Sequence, residues 1–165
     1  MKRLIVLFAV AAVFVSCGKD KKDLDKAVNL DKPVSIEIGA TYAKDDSLVV
    51  FYKLDGNYMY DKPISKPIKG SASPQKITFD IPAGIRPENF SIVVSTNKDQ
   101  AAVIITEITV KNGDNVIDGK NYKYFDFFVA DNSLLFDEKT GAFTLTHTNK
   151  YPPAIVGKDV LETKI

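Results

Sequence analysis

The side chains of this sequence that could carry chemistry are few and scattered. Among 165 residues there is one cysteine, Cys17, one histidine, His147, and no tryptophan. A lone cysteine can neither close a disulfide within one molecule nor build a cysteine-based metal site. Nucleophilic catalysis needs a nucleophile beside a base that a third group orients, and His147 offers no such surroundings. It shares strand parity with Phe143 and Leu145, which reads as a strand-end or partly buried histidine. Glycoside hydrolysis needs two carboxyl groups roughly 5–10 Å apart across a cleft. Asp126, Asp131, Asp137 and Glu138 supply carboxylates by number only. Asp131-Asn132-Ser133 and Asp114-Asn115 offer hard oxygens to calcium, without the alternate-position spacing of a dedicated loop. Turn chemistry accounts for the same residues. With no Gly-rich phosphate loop, His-based metal motif or nucleophile elbow, the chain reads as a non-enzyme with no cofactor and no metal.

Tyrosine supplies a binding chemistry instead. Its flat apolar face stacks on a pyranose ring while its hydroxyl stays hydrogen-bonded. Tyr58 and Tyr60 fall on one side of an extended segment, as do Tyr122 and Tyr124, which makes two candidate glycan platforms. The alternative is that these tyrosines cap the rim of the core or pair across strands.

Cys17 closes a segment with the three parts of a secretory signal: the basic start Met1-Lys2-Arg3, the apolar run Leu4 to Val15, and the small Ser16. The apolar run is too short for a transmembrane helix, which needs about 20 residues. Phe14-Val15-Ser16-Cys17, followed by Gly18, resembles the lipobox of bacterial lipoproteins. That resemblance implies cleavage before Cys17, a diacylglycerol on its sulfur and an acylated new amino terminus. The expected location is the outer membrane, on its periplasmic or cell-surface side, with the membrane contacted through the lipid. A second short resemblance concerns Asp46-Ser47-Leu48, similar to the Asp-Ser/Thr-aliphatic acceptor that some envelope-dwelling bacteria O-glycosylate, here at Ser47 in an expected turn.

Removing residues 1–16 leaves 149 residues, with 20 Lys+Arg against 21 Asp+Glu. That balance gives no electrostatic case for nucleic acid. The stretch Gly18 to Lys26 mixes charges around one large apolar residue, Leu24, so residues 17–32 read as the acylated cysteine and a flexible tether. Residues 33–165 read as one domain of ordinary size.

From Pro33 onward the pattern is β. Val34, Ile36 and Ile38 alternate with polar residues, as do Ile77, Phe79 and Ile81, then Phe143 and Leu145. Leu48 to Tyr52 and Ala102 to Ile105 are apolar on both faces and read as central strands covered on both sides. Turn residues separate the runs, including Asp55-Gly56-Asn57, Gly70 to Pro74, Asn112 to Asn115 and Glu138 to Gly141. The Pro-spaced Asp61 to Ile68 reads as an edge or crossover. The aromatic run Tyr124 to Val129, followed by Asp131 to Phe136, reads as a core strand or, alternatively, a surface that docks a partner. The sum is an antiparallel, jelly-roll-like all-β sandwich.

Phe51-Tyr52 to Asp55-Gly56-Asn57-Tyr58, then Gln75 to Pro82, then Ile108-Thr109-Val110, looks like the jelly-roll modules of bacterial cell-surface polysaccharide proteins. Those modules are similar to galactose-binding-like domains. The likeness spans about residues 34–160 and implies the fold and a glycan-associated role; Ser91 to Thr96 carry neither the arginine nor the aspartate that often follows this strand. A polysaccharide-associated accessory is the first expectation. A scaffolding lipoprotein that binds an envelope protein is the second, and a hydrolase a distant third.

Overall fold

The computed structural model describes residues 33–146 and 151–165, so Cys17, the expected signal and tether, and His147 lie outside the described residues. The fold is the expected antiparallel β-sandwich. Its strands are β1 (Val34–Tyr42), β2 (Asp46–Leu54), β3 (Asn57–Tyr58), β4 (Ile64–Ile68), β5 (Ser71–Asp80), β6 (Asn89–Val93), β7 (Ala102–Asn112), β8 (Asn115–Ile117), β9 (Phe128–Ala130), β10 (Leu134–Asp137), β11 (Ala142–Leu145) and β12 (Ala154–Gly157). A short helix, α1 (Asp159–Glu162), follows the last strand. One sheet runs β10-β11-β7-β1-β5, with β8 also on β7; the other runs β3-β2-β6-β12-β9, with β4 also on β2.

The alternation read from the sequence builds the core. Val34, Ile36, Ile38, Ala40 and Tyr42 of β1 are buried, and so are Ile77 and Phe79 of β5, Leu48, Val50 and Tyr52 of β2, and Phe143 and Leu145 of β11. Each side chain of that size removed from water contributes about 1.5–3 kcal/mol. With no disulfide available to the chain, this inter-sheet layer carries the stability.

Four local expectations are corrected. The apolar runs on β2 and β7 are central, paired along both edges, but their outward residues Val49, Phe51 and Ile104 are only half-buried, because among the described residues no further layer covers them. Gly70 to Pro74 is not a turn. It leads into β5, where Ala40 pairs with Gln75 but Tyr42 with Ser71, so the turn-like residues sit in a bulge of an edge strand. Asp46 and Ser47 open β2 rather than form a turn. The run Tyr124 to Val129 does not form one core strand: Lys123–Asp126 is a 3₁₀ turn, and only Phe128 onward is extended.

That last departure has a cause in β7. On one flank β11 pairs with residues 102–104 of β7 and β8 with residues 110–112, which leaves the stretch between them without a strand neighbour. In the same stretch β7 bulges. Gly39 pairs with Glu107 but Ala40 with Ile105, so Thr106 is the extra residue. Gly39 permits this, since a Cβ there would meet Glu107 Cβ and Thr106 Oγ1 at 3.1 Å. The 3₁₀ turn fills the gap: the Tyr122 N–H donates to Thr106 O (3.1 Å) and the Tyr124 hydroxyl to Ile105 O (3.1 Å). Backbone carbonyls that a strand would have satisfied thus find partners in a turn and a side chain.

The outer faces differ in character. On the sheet containing β1, Glu37 stands between Lys76 (2.7 Å) and Lys111 (2.6 Å), which hold its carboxyl below the usual carboxylate range, the hydrogen bond from Lys111 first. On the other sheet, register puts Val49, Val93, Ala154, Val156 and Val129 on one outward side, without a charge between them.

Candidate functional site

The first candidate surface grows from the β2–β3 hairpin. Asp55 (φ 48°) and Gly56 (φ 77°) form its two-residue turn, which needs left-handed backbone at both positions. The Gly56 N–H donates to Glu88 Oε2 at 2.9 Å. The turn sets Tyr58 opposite Lys53, on the outward side of β2 that also carries Phe51. Just beyond β3 the chain bends, with the Tyr60 N–H donating to Tyr58 O (3.0 Å). The Tyr60 ring meets Phe51 edge-on at 5.1 Å and Tyr58 at 5.9 Å. The result is a row of three rings, of which Tyr60 is 65% exposed. Partial burial, then the neighbouring Tyr60, Glu162 and Asp159, push the Tyr58 hydroxyl up to about 12. Glu162 is fixed beside it by Lys53 Nζ (2.8 Å) and Asn89 Nδ2 (2.9 Å). An exposed aromatic ring in such a row, with a phenol and carboxylates at its margin, can take a pyranose face and its hydroxyls.

The second pair of tyrosines is divided by the structure. Tyr124 is fully buried, and burial raises its hydroxyl far above the usual range. It is a core residue, so the two-tyrosine platform expected at Tyr122 and Tyr124 does not form; the alternative reading, tyrosines at the core rim, describes this pair. Tyr122 stays at the surface with unusual backbone. Asn121 (φ 52°) and Tyr122 (φ 66°) are consecutive left-handed residues, and Tyr122 is a bulky one. Such conformations cost on the order of 1–3 kcal/mol and persist where surrounding contacts impose them.

What surrounds Tyr122 is a cavity of about 430 Å³ between the 3₁₀ turn and the β10–β11 hairpin. Tyr122, Phe125 and Phe136 line it, together with Glu138, Lys139 and Thr140 of the hairpin turn. The rings are mutually packed: Phe125 meets Phe136 edge-on at 4.8 Å, Tyr122 lies 5.9 Å from Phe136, and Phe143 backs Phe136 at 5.0 Å. The hairpin turn is tied internally. Asp137 accepts from the Lys139 N–H (2.9 Å) and the Thr140 hydroxyl (2.9 Å), bonds that hold its carboxyl below the usual range. Gly141 has φ 68°, and a Cβ there would collide with the Tyr122 hydroxyl.

The remaining sequence candidates have structural employment. Asp46 is buried and accepts from the N–H groups of Ser47 (2.7 Å), Thr96 (2.8 Å) and Asn97 (3.1 Å) and from the Ser95 hydroxyl (2.6 Å), pinning the β6–β7 loop to β2. Ser47 therefore lies in a strand opposite Pro67, with Leu48 fully in the core. Asp131 accepts from the N–H groups of Ser133 (2.9 Å) and Ala154 (3.1 Å). Asn115 donates to Lys164 O at 2.6 Å. Asp126 lies at a separate hollow with Asp118 and Lys123, away from Glu138. Among the described residues no group of three or more His, Cys, Asp or Glu side chains could hold a metal ion, and no helix is long and apolar enough to cross a membrane.

Sequence reasoning missed Phe51, Phe125 and Phe136. Phe51 was legible: once β2 is a strand with Leu48 and Val50 inward, Phe51 points out beside Val49. Phe136, on β10 with Leu134 inward, was legible in the same way, but Phe125 was not, because a strand reading of residues 124–129 gives the wrong faces. Compared with known protein families, curated proteins and solved structures, the chain finds no match.

Proposed function

We propose that this chain is a lipid-anchored bacterial envelope protein, held at the outer membrane through acylated Cys17, and that its β-sandwich is a non-catalytic, glycan-binding or polysaccharide-associated accessory module. The anchor reading rests on the signal-like residues 1–16 and the cysteine directly after them. The binding reading is carried by one observation: the row of Phe51, Tyr58 and Tyr60, in which a large aromatic ring is left 65% exposed on a hairpin that orders it. An open row with an exposed ring suits a polysaccharide running across it. The candidate carboxylates argue for binding rather than hydrolysis, since Asp131 and Asp137 accept hydrogen bonds within their own turns.

The test is affinity electrophoresis of the full chain through gels containing envelope polysaccharides of the source cells, with and without calcium. Retardation that Tyr60→Ala removes supports the reading, and unretarded wild-type protein on every polysaccharide sinks it. Cys17→Ala should release the protein from the membrane fraction; continued pelleting with membranes refutes the anchor.

One observation favours a second reading, a scaffold that docks a protein. Val49, Val156 and Val129 are partly or largely exposed on one uncharged outward side, with Val129 50% exposed. Apolar strips of this kind mark contact surfaces on soluble domains.

A further inference from the structure

The cavity at Tyr122 differs from the open row in every physical respect. Its volume, about 430 Å³, falls within the range of small-molecule sites, roughly 300–1,000 Å³. It is an open hollow bounded by the 3₁₀ turn on one side and the 138–141 turn on the other. Its lining mixes aromatic rings with a carboxylate, an ammonium and a hydroxyl: Tyr122, Phe125 and Phe136 below, Glu138, Lys139 and Thr140 at the rim. An apolar ligand has no use for that rim, and a purely ionic one none for the rings. A sugar ring uses both, presenting C–H groups on one face and hydroxyls around its edge.

The parts are also fitted to one another. The Tyr122 hydroxyl occupies the space that a Cβ on Gly141 would need, so ring and turn fit only with glycine there. Tyr122 is held in a left-handed conformation, anchored by its N–H on Thr106 O, and the hairpin turn is braced by Asp137. The walls are thus set before any ligand arrives, which limits the ordering that binding would require.

We infer that this hollow is a second binding site of the module, taking one pyranose ring of a glycan, with the ring's C–H face on the aromatic lining and its hydroxyls on Glu138, Lys139 and Thr140. The inference rests on the glycan reading but uses different residues from the row at Tyr60.

The experiment is amide-shift NMR of the full chain titrated with methyl pyranosides of glucose, galactose, mannose and N-acetylglucosamine, and separately with N-acetyltyrosine amide as a protein-side-chain mimic. Wild type and Tyr60→Ala should show saturable shifts at residues 121–126 and 136–141 with at least one pyranoside. Glu138→Ala and Lys139→Ala, both changes on the surface turn that leave its Asp137 brace intact, should weaken that binding by roughly tenfold, as a lost hydrogen-bonding group of about 1.4 kcal/mol would. Tyr122→Ala should abolish it, and the two turn variants keep the test open if that chain misfolds. Shifts confined to Phe51, Tyr58 and Tyr60 overturn the cavity site while leaving the glycan function intact. Shifts with N-acetyltyrosine amide but no pyranoside overturn it in favour of a protein partner. No shift with any probe overturns it too, and polysaccharide retardation that still depends on Tyr60 would show the function surviving alone.

Discussion

The row at Tyr60 and the cavity at Tyr122 employ the same residue type on opposite backbone principles. Tyr58 and Phe51 are placed by regular strand alternation and a two-residue hairpin turn, and the outcome is an open row on a sheet face. Tyr122 is placed by a failure of alternation: β7 bulges at Thr106, its strand neighbour is missing between β11 and β8, and a 3₁₀ turn with left-handed residues closes the gap. Concavity in a sandwich has to come from such irregularity. The two sites differ accordingly in how deeply their rings are tied into the core, and that difference can be measured.

The largest effect is expected at Tyr124, the residue whose burial separates the second pair from the first. Tyr124→Ala removes a fully buried ring and should cost about 3–5 kcal/mol in chemical denaturation. Tyr124→Phe keeps the ring but strands the Ile105 carbonyl, and should cost about 1–3 kcal/mol. Wild-type stability in Tyr124→Ala would place the ring outside the core and dissolve the contrast.

Next comes the fit between Gly141 and Tyr122. Gly141→Ala introduces a Cβ at positive φ and against the Tyr122 hydroxyl, with an expected loss of about 1–3 kcal/mol. Tyr122→Phe in the same background removes the oxygen and should restore part of that loss. A double-mutant cycle checks it, with a coupling of about 0.5 kcal/mol or more expected. Strict additivity would mean that ring and turn are independent.

A third effect distinguishes the rows by pH. The Tyr58 hydroxyl is pushed up to about 12, chiefly by burial, whereas an unfolded tyrosine ionises at about 10. The folded state therefore holds this proton more tightly. Its contribution is fully present below about pH 10 and is lost as pH rises through about 12. Stability should fall across that window, and Tyr58→Phe should flatten the fall; an unchanged slope would place Tyr58 in open solvent.

The regular half of the molecule was open to reading from sequence and the irregular half was not, for the same reason that separates the two sites. Period-two alternation in β1, in β5 from Ile77 on and in β11 predicted which residues point inward, and the Pro-spaced Asp61 to Ile68 yielded the edge strand β4. Tyr58 and Tyr60 do come together, but through the bend after β3 rather than on the extended segment that this rule assumes. Applied to Tyr122 and Tyr124 it failed, because it assumes an extended chain, and nothing local in Asn121-Tyr122 announces left-handed backbone. That geometry follows from the bulge at Thr106, a tertiary feature permitted by Gly39 across the sheet. Asp46 was misread for a related reason. Its polarity resembles turn chemistry, yet its partners Ser95, Thr96 and Asn97 are about fifty positions away in sequence.

The smallest stability effect is expected where the functional effect is greatest. Tyr60 sits beyond the end of β3, 65% exposed, with ring contacts to Phe51 and Tyr58. Tyr60→Ala should change stability by no more than about 0.5 kcal/mol, the ordinary scale of a surface substitution. Retardation on polysaccharide gels should nevertheless disappear, and Tyr60→Phe, which keeps the flat face, should retain most of it. A loss well above 1 kcal/mol in Tyr60→Ala would make the ring a cap on Phe51 rather than a contact surface. In that case the row would be structural, like Tyr124, and only the cavity would remain as a place where an aromatic side chain of this sandwich meets a ligand.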